Sequence, residues 1–294
     1  MNLLDGKKLA ADIKSELRAQ VEDILARGGR PPHLAAVLVG DDPASQAYVS
    51  NKVRSCAEVG FASTLIRRPS ETTEGELLGI VAQLNQDPDI DGFIVQLPLP
   101  AHIDEQRVNL AIDPKKDVDG FTPENFGRMA QGLPCYLPAT PFGILEMLRR
   151  YQIPTEGCEV TVVGRSHIVG TPISILLSRK GYPGDATVTL CHSRSRDLAA
   201  HCRKADILIA AIGKADFITA DMVKPGAVVI DVGINRVDDP TSPKKYRLTG
   251  DVSFAEVAPL ASWITPVPGG VGQLTVAALL MNTLKARQKA VYPA

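Results

Sequence analysis

Five cysteines, Cys56, Cys135, Cys158, Cys191 and Cys202, are an odd number with no CxxC pair among them. That scatter fits reduced thiols in a reducing compartment. Excess charge is missing too: 32 basic residues face 33 acidic ones. No broad positive field is available to hold nucleic acid or an anionic membrane surface. No apolar run approaches the ~20 residues that span a bilayer. The opening MNLLDGKKLAADIKSELRAQ mixes apolar and charged residues at helical spacing, whereas a secretory signal needs an unbroken apolar core. Internal repeats and low-complexity tracts are absent as well. A soluble cytoplasmic protein with a small-molecule partner, neither nucleic acid nor membrane, is the expectation.

What is present is 294 residues, 45% of them hydrophobic, enough for two domains with substantial cores. From His33 the chain alternates apolar strands with amphipathic helices: HLAAVLVG, a helix over about 43–59, FASTLIRR, a helix over about 73–86, and GFIVQLPLP. That order predicts a parallel sheet with helices on its faces. The Pro/Gly-rich PENFGRMAQGLPCYLPATP marks the approach to a boundary, and the helix Pro141–Gln152, with proline in its first turn, follows it. A second series runs through EVTVVG, ATVTLCH, ADILIAAIG, AVVIDVG and SWITPVP. Continuous Val/Ile/Ala runs imply strands covered on both faces. The predicted fold class is therefore α/β with two domains, an N-terminal α/β domain over 1–139 and a Rossmann-like doubly wound parallel sheet over 140–272, with a cleft between them. A final helix, about 273–294, is expected to pack back on the first domain.

Tyr48 and Lys52 stand four residues apart in the first of these helices. The phenol and the amine therefore project from one face, where a buried amine can act in proton transfer. Taken alone, such a pair is usually a solvated helix surface. VVGRSHIVGTPISILL sets a glycine-bearing turn between a buried strand and a helix, the place where backbone N–H groups and the helix dipole hold a pyrophosphate. Its Gly164, Ser166, Gly170 and Pro172 form G-x-S-x-x-x-G-x-P, not G-x-G-x-x-G, and a tight turn without a ligand needs similar residues. The next strand ends in Cys191, His192, Ser193 and Arg194, where NAD sites usually carry a carboxylate. With Arg165 in the first turn, these cations and the hydroxyl suit the 2′-phosphate of NADP.

Metal readings fare poorly. Cys191 and His192 are neighbours on a strand and point to opposite faces, away from a shared ion. An EF-hand register on Asp117-Val118-Asp119-Gly120 puts Lys115 at its first ligand position and Phe126 at its last. No metal is expected.

The segments VGDDPASQAYVSNK, DGFIVQLPLP, KDVDGF, VVGRSHIVGTP, IDVGIN, GDV and TPVPGGVG, in that order, closely resemble the bifunctional methylenetetrahydrofolate dehydrogenase/methenyltetrahydrofolate cyclohydrolase family. The resemblance implies that Lys52 is the catalytic lysine, that Tyr48 lies beside it over the folate and that Gln96 hydrogen-bonds the lysine. It implies that Asp119 grips the pterin's amino and ring N–H groups, which suits a carboxylate's paired acceptors. Pro268, Gly269 and Gly270 would line the folate pocket with bare backbone. Cofactor contacts would come from Gly164, Arg165, Ser166, Ile168, Ser193, Arg194, Gly213, Ile234 and Thr275. Dimerisation through the nucleotide-binding domain is implied as well. Two positions depart from the family pattern: Ala139 stands where the family often has cysteine, and Gln273 where PGGVGP has proline.

The expected activity is NADP-dependent oxidation of 5,10-methylenetetrahydrofolate to the methenyl form, then hydrolysis to 10-formyltetrahydrofolate, with a reduced folate as substrate. Alignment of two rings serves the first step, and proton traffic through Lys52 the second. Two alternatives are a shikimate-dehydrogenase-like NADP oxidoreductase, which leaves KDVDGF and PVPGGVG unexplained, and a non-catalytic folate- or nucleotide-binding regulator, which leaves no reason to retain Lys52 and Asp119.

Overall fold

The computed structural model describes residues 1–242 and 245–292. The chain divides into two compact units, Met1–Ala10 with Thr140–Thr275 and Ala11–Ala139 with Val276–Ala294. It opens with β1 (Asn2–Leu3) and α1 (Gly6–Ala26), then alternates β2 (His33–Val39), α2 (Pro43–Val59), β3 (Ala62–Arg68), α3 (Glu74–Gln86) and β4 (Gly92–Val95). Two short helices, α4 (Glu105–Ala111) and α5 (Pro123–Ala130), lead to α6 (Ala139–Arg150).

Within the Ala11–Ala139 unit, β3-β2-β4 form a parallel three-stranded sheet. Six of the seven β2 residues are buried, because helices cover both sheet faces. Ala35, Val37, Val39 and Phe93 pack with Leu77 and Val81 of α3, and each fully buried Val or Leu contributes about 1.5–3 kcal/mol. Helix α2, which carries Tyr48 and Lys52, has defined ends. The Asp42 carboxylate accepts from Ser45 N at 2.7 Å, Pro43 opens the first turn, and Gly60 closes the helix at φ 81°. Lys14 Nζ of α1 donates to Ser55 Oγ at 2.8 Å and to Glu58 at 2.7 Å, tying α2 to its neighbour. That ion pair holds the Glu58 carboxyl below its ordinary range.

The remaining elements are β5 (Glu159–Val163), α7 (Gly170–Ser178), β6 (Thr187–Cys191), α8 (Leu198–Lys204), β7 (Ile207–Ala210), β8 (Val228–Asp231), the pair β9 (Asn235–Asp238) and β10 (Tyr246–Thr249), α9 (Phe254–Val257), β11 (Trp263–Ile264) and α10 (Val271–Arg287). The six-stranded sheet has the order β1-β11-β8-β7-β5-β6, and every pairing in it is parallel. The two-domain α/β class and the parallel sheet are as the sequence indicates. Strand order reverses at β5, with β6 on one side and β7 on the other, so ligands are expected outside the carboxyl ends of these strands. Val163, Leu208, Ala210, Val229 and Ile264 build the core of this unit.

Two features are additions to the sequence reading. Asn2 and Leu3 pair with Trp263 and Ile264, so the first residues form an edge strand of the larger sheet. Strands β9 and β10 make an antiparallel hairpin where only connections were expected.

Candidate active site

Helix α2 and strand β4 place the first cluster. Gln96 directly follows β4, and its N–H continues the ladder by donating to Val37 O at 2.9 Å. Lys52 Nζ donates to Gln96 Oε1 at 3.1 Å, and Gln96 Nε2 donates to Leu97 O at 2.6 Å. The second bond fixes the amide's orientation, so its oxygen and not its nitrogen faces the amine. Tyr48 lies one turn earlier on α2 and is 48% exposed.

Asp119 joins this cluster through a loop that the sequence alone did not explain. A parallel bridge between Phe93 and Asp117 sets the KDVDGF segment beside β4. The buried Asp117 carboxylate accepts from Gly120 N at 2.9 Å, Phe121 N at 3.2 Å, Thr122 N at 2.8 Å, Thr122 Oγ1 at 2.7 Å and Asn125 Nδ2 at 2.9 Å. Gly120 has φ 73°, and a Cβ there would lie 2.6 Å from the Leu137 carbonyl carbon, so glycine is required. Among the described residues no hydrogen bond reaches the Asp119 carboxylate. Burial pushes its pKa up, and the Lys52 charge partly offsets that rise. Lys52, Gln96 and Asp119 thus come together, with Tyr48 a turn away.

The second cluster lies at the carboxyl ends of β5, β6, β7 and β8. Gly164 has φ 120°, and a Cβ on it would sit 2.0 Å from Ala211 O; one on Gly170 would sit 1.8 Å from Gly164 O. Backbone therefore packs on backbone throughout the turn. Ser166 Oγ accepts from Val169 N at 3.1 Å, and Val169 gives α7 no side-chain cap. At the start of this nine-residue helix Thr171 N donates to Ser166 O and Ile173 N to Val169 O, each at 3.0 Å, and Pro172 has no N–H, which leaves Gly170 N to meet a pyrophosphate. Arg165, Ser166 and Ile168 are exposed on this turn. Ser193 and Arg194 are exposed after β6, in a turn closed by His192 N donating to Ser195 Oγ at 2.9 Å. The donor set of this edge, one hydroxyl and two guanidiniums without a carboxylate, fits NADP.

Gly213 follows β7 and Ile234 follows β8, and both loops depend on two aspartates that sequence reasoning left without a role. Asp251 is fully buried and accepts from Ile212 N, Gly213 N and Lys214 N at 2.5–2.9 Å and from Asn235 Nδ2 at 2.9 Å. Asp231 accepts from Gly233 N, Asp251 N and Val252 N, each at 2.9 Å. Burial pushes Asp231 up to about 6. Cβ atoms on Gly233 and Gly250 would lie 2.1 Å from Asp251 and 1.7 Å from Asp231, which accounts for the glycines of IDVGIN and GDV. Motif glycines beside aspartates were the available signal.

Pro268, Gly269 and Gly270 belong to the unit that contains the larger sheet, apart in the chain's division from Lys52, Gln96 and Asp119. Lys7 N donates to Gly269 O at 2.9 Å, and a Cβ on Gly6 would meet Gly270 O at 2.0 Å. Thr275 shares a 2.9 Å hydroxyl contact with Thr140. Ala139 is buried at the first residue of α6, whereas Gln273 is exposed in the first turn of α10. Among the described residues no group of three or more His, Cys, Asp or Glu side chains is placed to hold a metal.

Residues 4–119 match the tetrahydrofolate dehydrogenase/cyclohydrolase catalytic domain, and residues 138–291 match the NAD(P)-binding domain of the same family. The bifunctional protein FolD of Flavobacterium johnsoniae is 60% identical over 288 residues, 98% of either chain. Among solved structures, the FolD methylenetetrahydrofolate dehydrogenase/cyclohydrolase of Campylobacter jejuni superposes with a TM-score of 0.92 at 43% identity, covering 99% of both chains. The Trypanosoma brucei enzyme, solved with NADP cofactor and an inhibitor, gives 0.92 at 37% identity over 98% of this chain and 97% of its own. With both domains matched and relatives aligned nearly end to end, this chain belongs to the tetrahydrofolate dehydrogenase/cyclohydrolase family.

Proposed function

We propose that this bifunctional enzyme oxidises 5,10-methylenetetrahydrofolate and hydrolyses the methenyl product to 10-formyltetrahydrofolate, within one-carbon folate metabolism. The observation that carries the reading is the Lys52–Gln96 hydrogen bond at 3.1 Å, with the Asp119 carboxylate in electrostatic reach of the same amine. Asp119 holds the pterin's amino and ring N–H groups through its two acceptor oxygens. Tyr48 covers the folate from the same helix face. Gln96 takes one proton of Lys52 as acceptor and so fixes the direction of the amine. Lys52 then carries protons at the bridging carbon: water adds there and loses a proton, one C–N bond breaks, and the departing nitrogen is protonated.

NADP, when bound, supplies the hydride acceptor for the oxidation. The turn of Gly164, Arg165, Ser166 and Ile168 takes its pyrophosphate, and Ser193 and Arg194 its 2′-phosphate, with Gly213, Ile234 and Thr275 completing the contacts. The folate is thus assigned to the Ala11–Ala139 unit and NADP to the larger sheet. The enzyme works as a cytoplasmic homodimer on a reduced folate. Five free cysteines and a formal net charge of −1 support a reducing compartment and a small-molecule partner; size-exclusion chromatography with light scattering tests the dimer. Purified protein mixed with methylenetetrahydrofolate and NADP, with NADPH and methenyl absorbance followed separately, tests both reactions. NADPH formation with no decay of the methenyl signal would remove the hydrolytic half of the reading.

A further inference from the structure

Among the described residues no hydrogen bond holds the Asp119 carboxylate, which feels the Lys52 charge, so its backbone must decide where it points. Its two neighbours in sequence are both tied down. Asn282 Nδ2 donates to Val118 O at 2.8 Å, and Gly120 N donates to Asp117 Oδ1 at 2.9 Å. Asp117 is itself held by Asn125, a wholly buried side chain whose Nδ2 donates to Asp117 Oδ2 at 2.9 Å and to Pro114 O at 3.0 Å. Asn125 has one acceptor oxygen, and two donors use it: Tyr136 N at 3.1 Å and the Tyr292 hydroxyl at 2.9 Å. Tyr292 lies near the far end of the chain. Its ring rests against Tyr136, centroids 5.8 Å apart, with the Arg128 guanidinium 4.9 Å above it.

The two donors on Asn125 Oδ1 fix the flip of the amide. With the oxygen turned to Tyr136 and Tyr292, the nitrogen must face Asp117 Oδ2, the oxygen that also accepts from Thr122 N and Oγ1, while Oδ1 accepts from Gly120 N and Phe121 N. Reversing the amide would set a carbonyl oxygen against a buried carboxylate, a contact that costs far more than one hydrogen bond yields. From this we infer that Asp117, Asn125 and Tyr292 are positioning residues for Asp119, and that the C-terminal tyrosine thereby sets the affinity for the reduced folate from outside the site. The inference rests on the assignment of Asp119 to the pterin.

Tyr292→Phe tests it with minimal disturbance, since it removes one oxygen from a partly buried ring and leaves the aromatic contacts. Methylenetetrahydrofolate KM is expected to rise about twofold to twelvefold, the span that one neutral hydrogen bond transmits, while NADP KM stays unchanged. In an Asp119→Asn background the same replacement should change folate KM no further, because its effect runs through the carboxylate already removed. A purely structural tyrosine would instead lower the thermal midpoint and leave the KM of both substrates alone. Asp117→Asn serves as the second variant and should raise folate KM more than Tyr292→Phe does. Folate KM unchanged in both variants, with Asp119→Asn still raising it, overturns the positioning chain and leaves the pterin assignment standing. Folate KM unchanged in Asp119→Asn overturns the pterin assignment itself.

Discussion

Lys52 and Gln96 meet at 3.1 Å, and the far end of the Gln96 amide is anchored on Leu97 O. The amine therefore has one N–H direction fixed by a group that is itself immobile, which leaves its other positions for water and substrate. Lys52→Met keeps the length of the stem and removes the proton carrier. Hydrolysis of the methenyl substrate should fall by about 10²- to 10⁴-fold, the usual contribution of one acid–base group, while the NADP dissociation constant stays within twofold, about 0.4 kcal/mol. Gln96→Leu should cost less, about 10- to 100-fold, as for a hydrogen bond to a charged group. Stopped-flow absorbance on the methenyl band measures both, and full activity in Lys52→Met would refute the role.

Gly164 gives a prediction on the nucleotide side. Alanine there must adopt φ 120° with its Cβ 2.0 Å from the Ala211 carbonyl oxygen. Both atoms belong to rigid strand ends, so the turn itself has to move. NADP KM should rise about 10- to 100-fold, as expected for a displacement near one ångström. Folate binding, measured by fluorescence quenching without NADP, should be unaffected.

Asp231 is the group whose titration should be visible in stability. Burial raises its folded pKa to about 6, above the ordinary 3.8. Between these values the folded chain binds the extra proton and the unfolded chain does not, so this group's contribution falls as pH rises through the window. Above pH 6 both states are ionised and the contribution is constant. Relative to Asp231→Asn, the wild type should lose roughly 3 kcal/mol as an upper bound between pH 4 and 6, at 1.36 kcal/mol per unit. Urea unfolding of both proteins across pH 3.5–8 checks the sign, and a difference that grows in the other direction would show that Asp231 is ionised throughout.

The parts of the site that obey a period or a compact motif were legible in the sequence. Helical spacing puts Tyr48 and Lys52 on one face and glycines mark the β5–α7 turn, while the roles expected of Lys52, Tyr48, Gln96 and Asp119 come from short segments that resemble the family. Asp117, Asp231 and Asp251 were in view as letters of KDVDGF, IDVGIN and GDV, yet their task is to collect backbone N–H groups from loops. Nothing in the local pattern says which loops those are. Asn125 and Tyr292 had no signal at all, because they meet only after the chain has closed on itself. Strand β1 escaped notice for a related reason: two residues cannot show alternation, and their partners lie at the other end of the sequence. The half-exposed β9, Asn235–Asp238, lacks the apolar run by which its neighbours announce themselves.

Gln273, one of the two departures from the family pattern, yields the last prediction. It is the third residue of α10, and its N–H donates to Gly270 O at a long 3.2 Å. Proline would delete that bond, at about 0.5–1.5 kcal/mol for an intramolecular hydrogen bond. Against this, proline narrows the unfolded ensemble and returns about 0.4–1 kcal/mol when its ring fits. It fits the first turn of a helix, and the usual clash with the preceding residue is reduced because that residue is Gly272, which keeps its N–H but has no Cβ. The two effects overlap in size and are opposite in sign. Gln273→Pro should therefore shift unfolding free energy by less than about 1 kcal/mol and leave both activities within twofold, about 0.4 kcal/mol. A larger loss of folate affinity with the same thermal midpoint would mean that the glutamine side chain contacts the substrate, so steady-state kinetics and calorimetry on one variant separate the two roles.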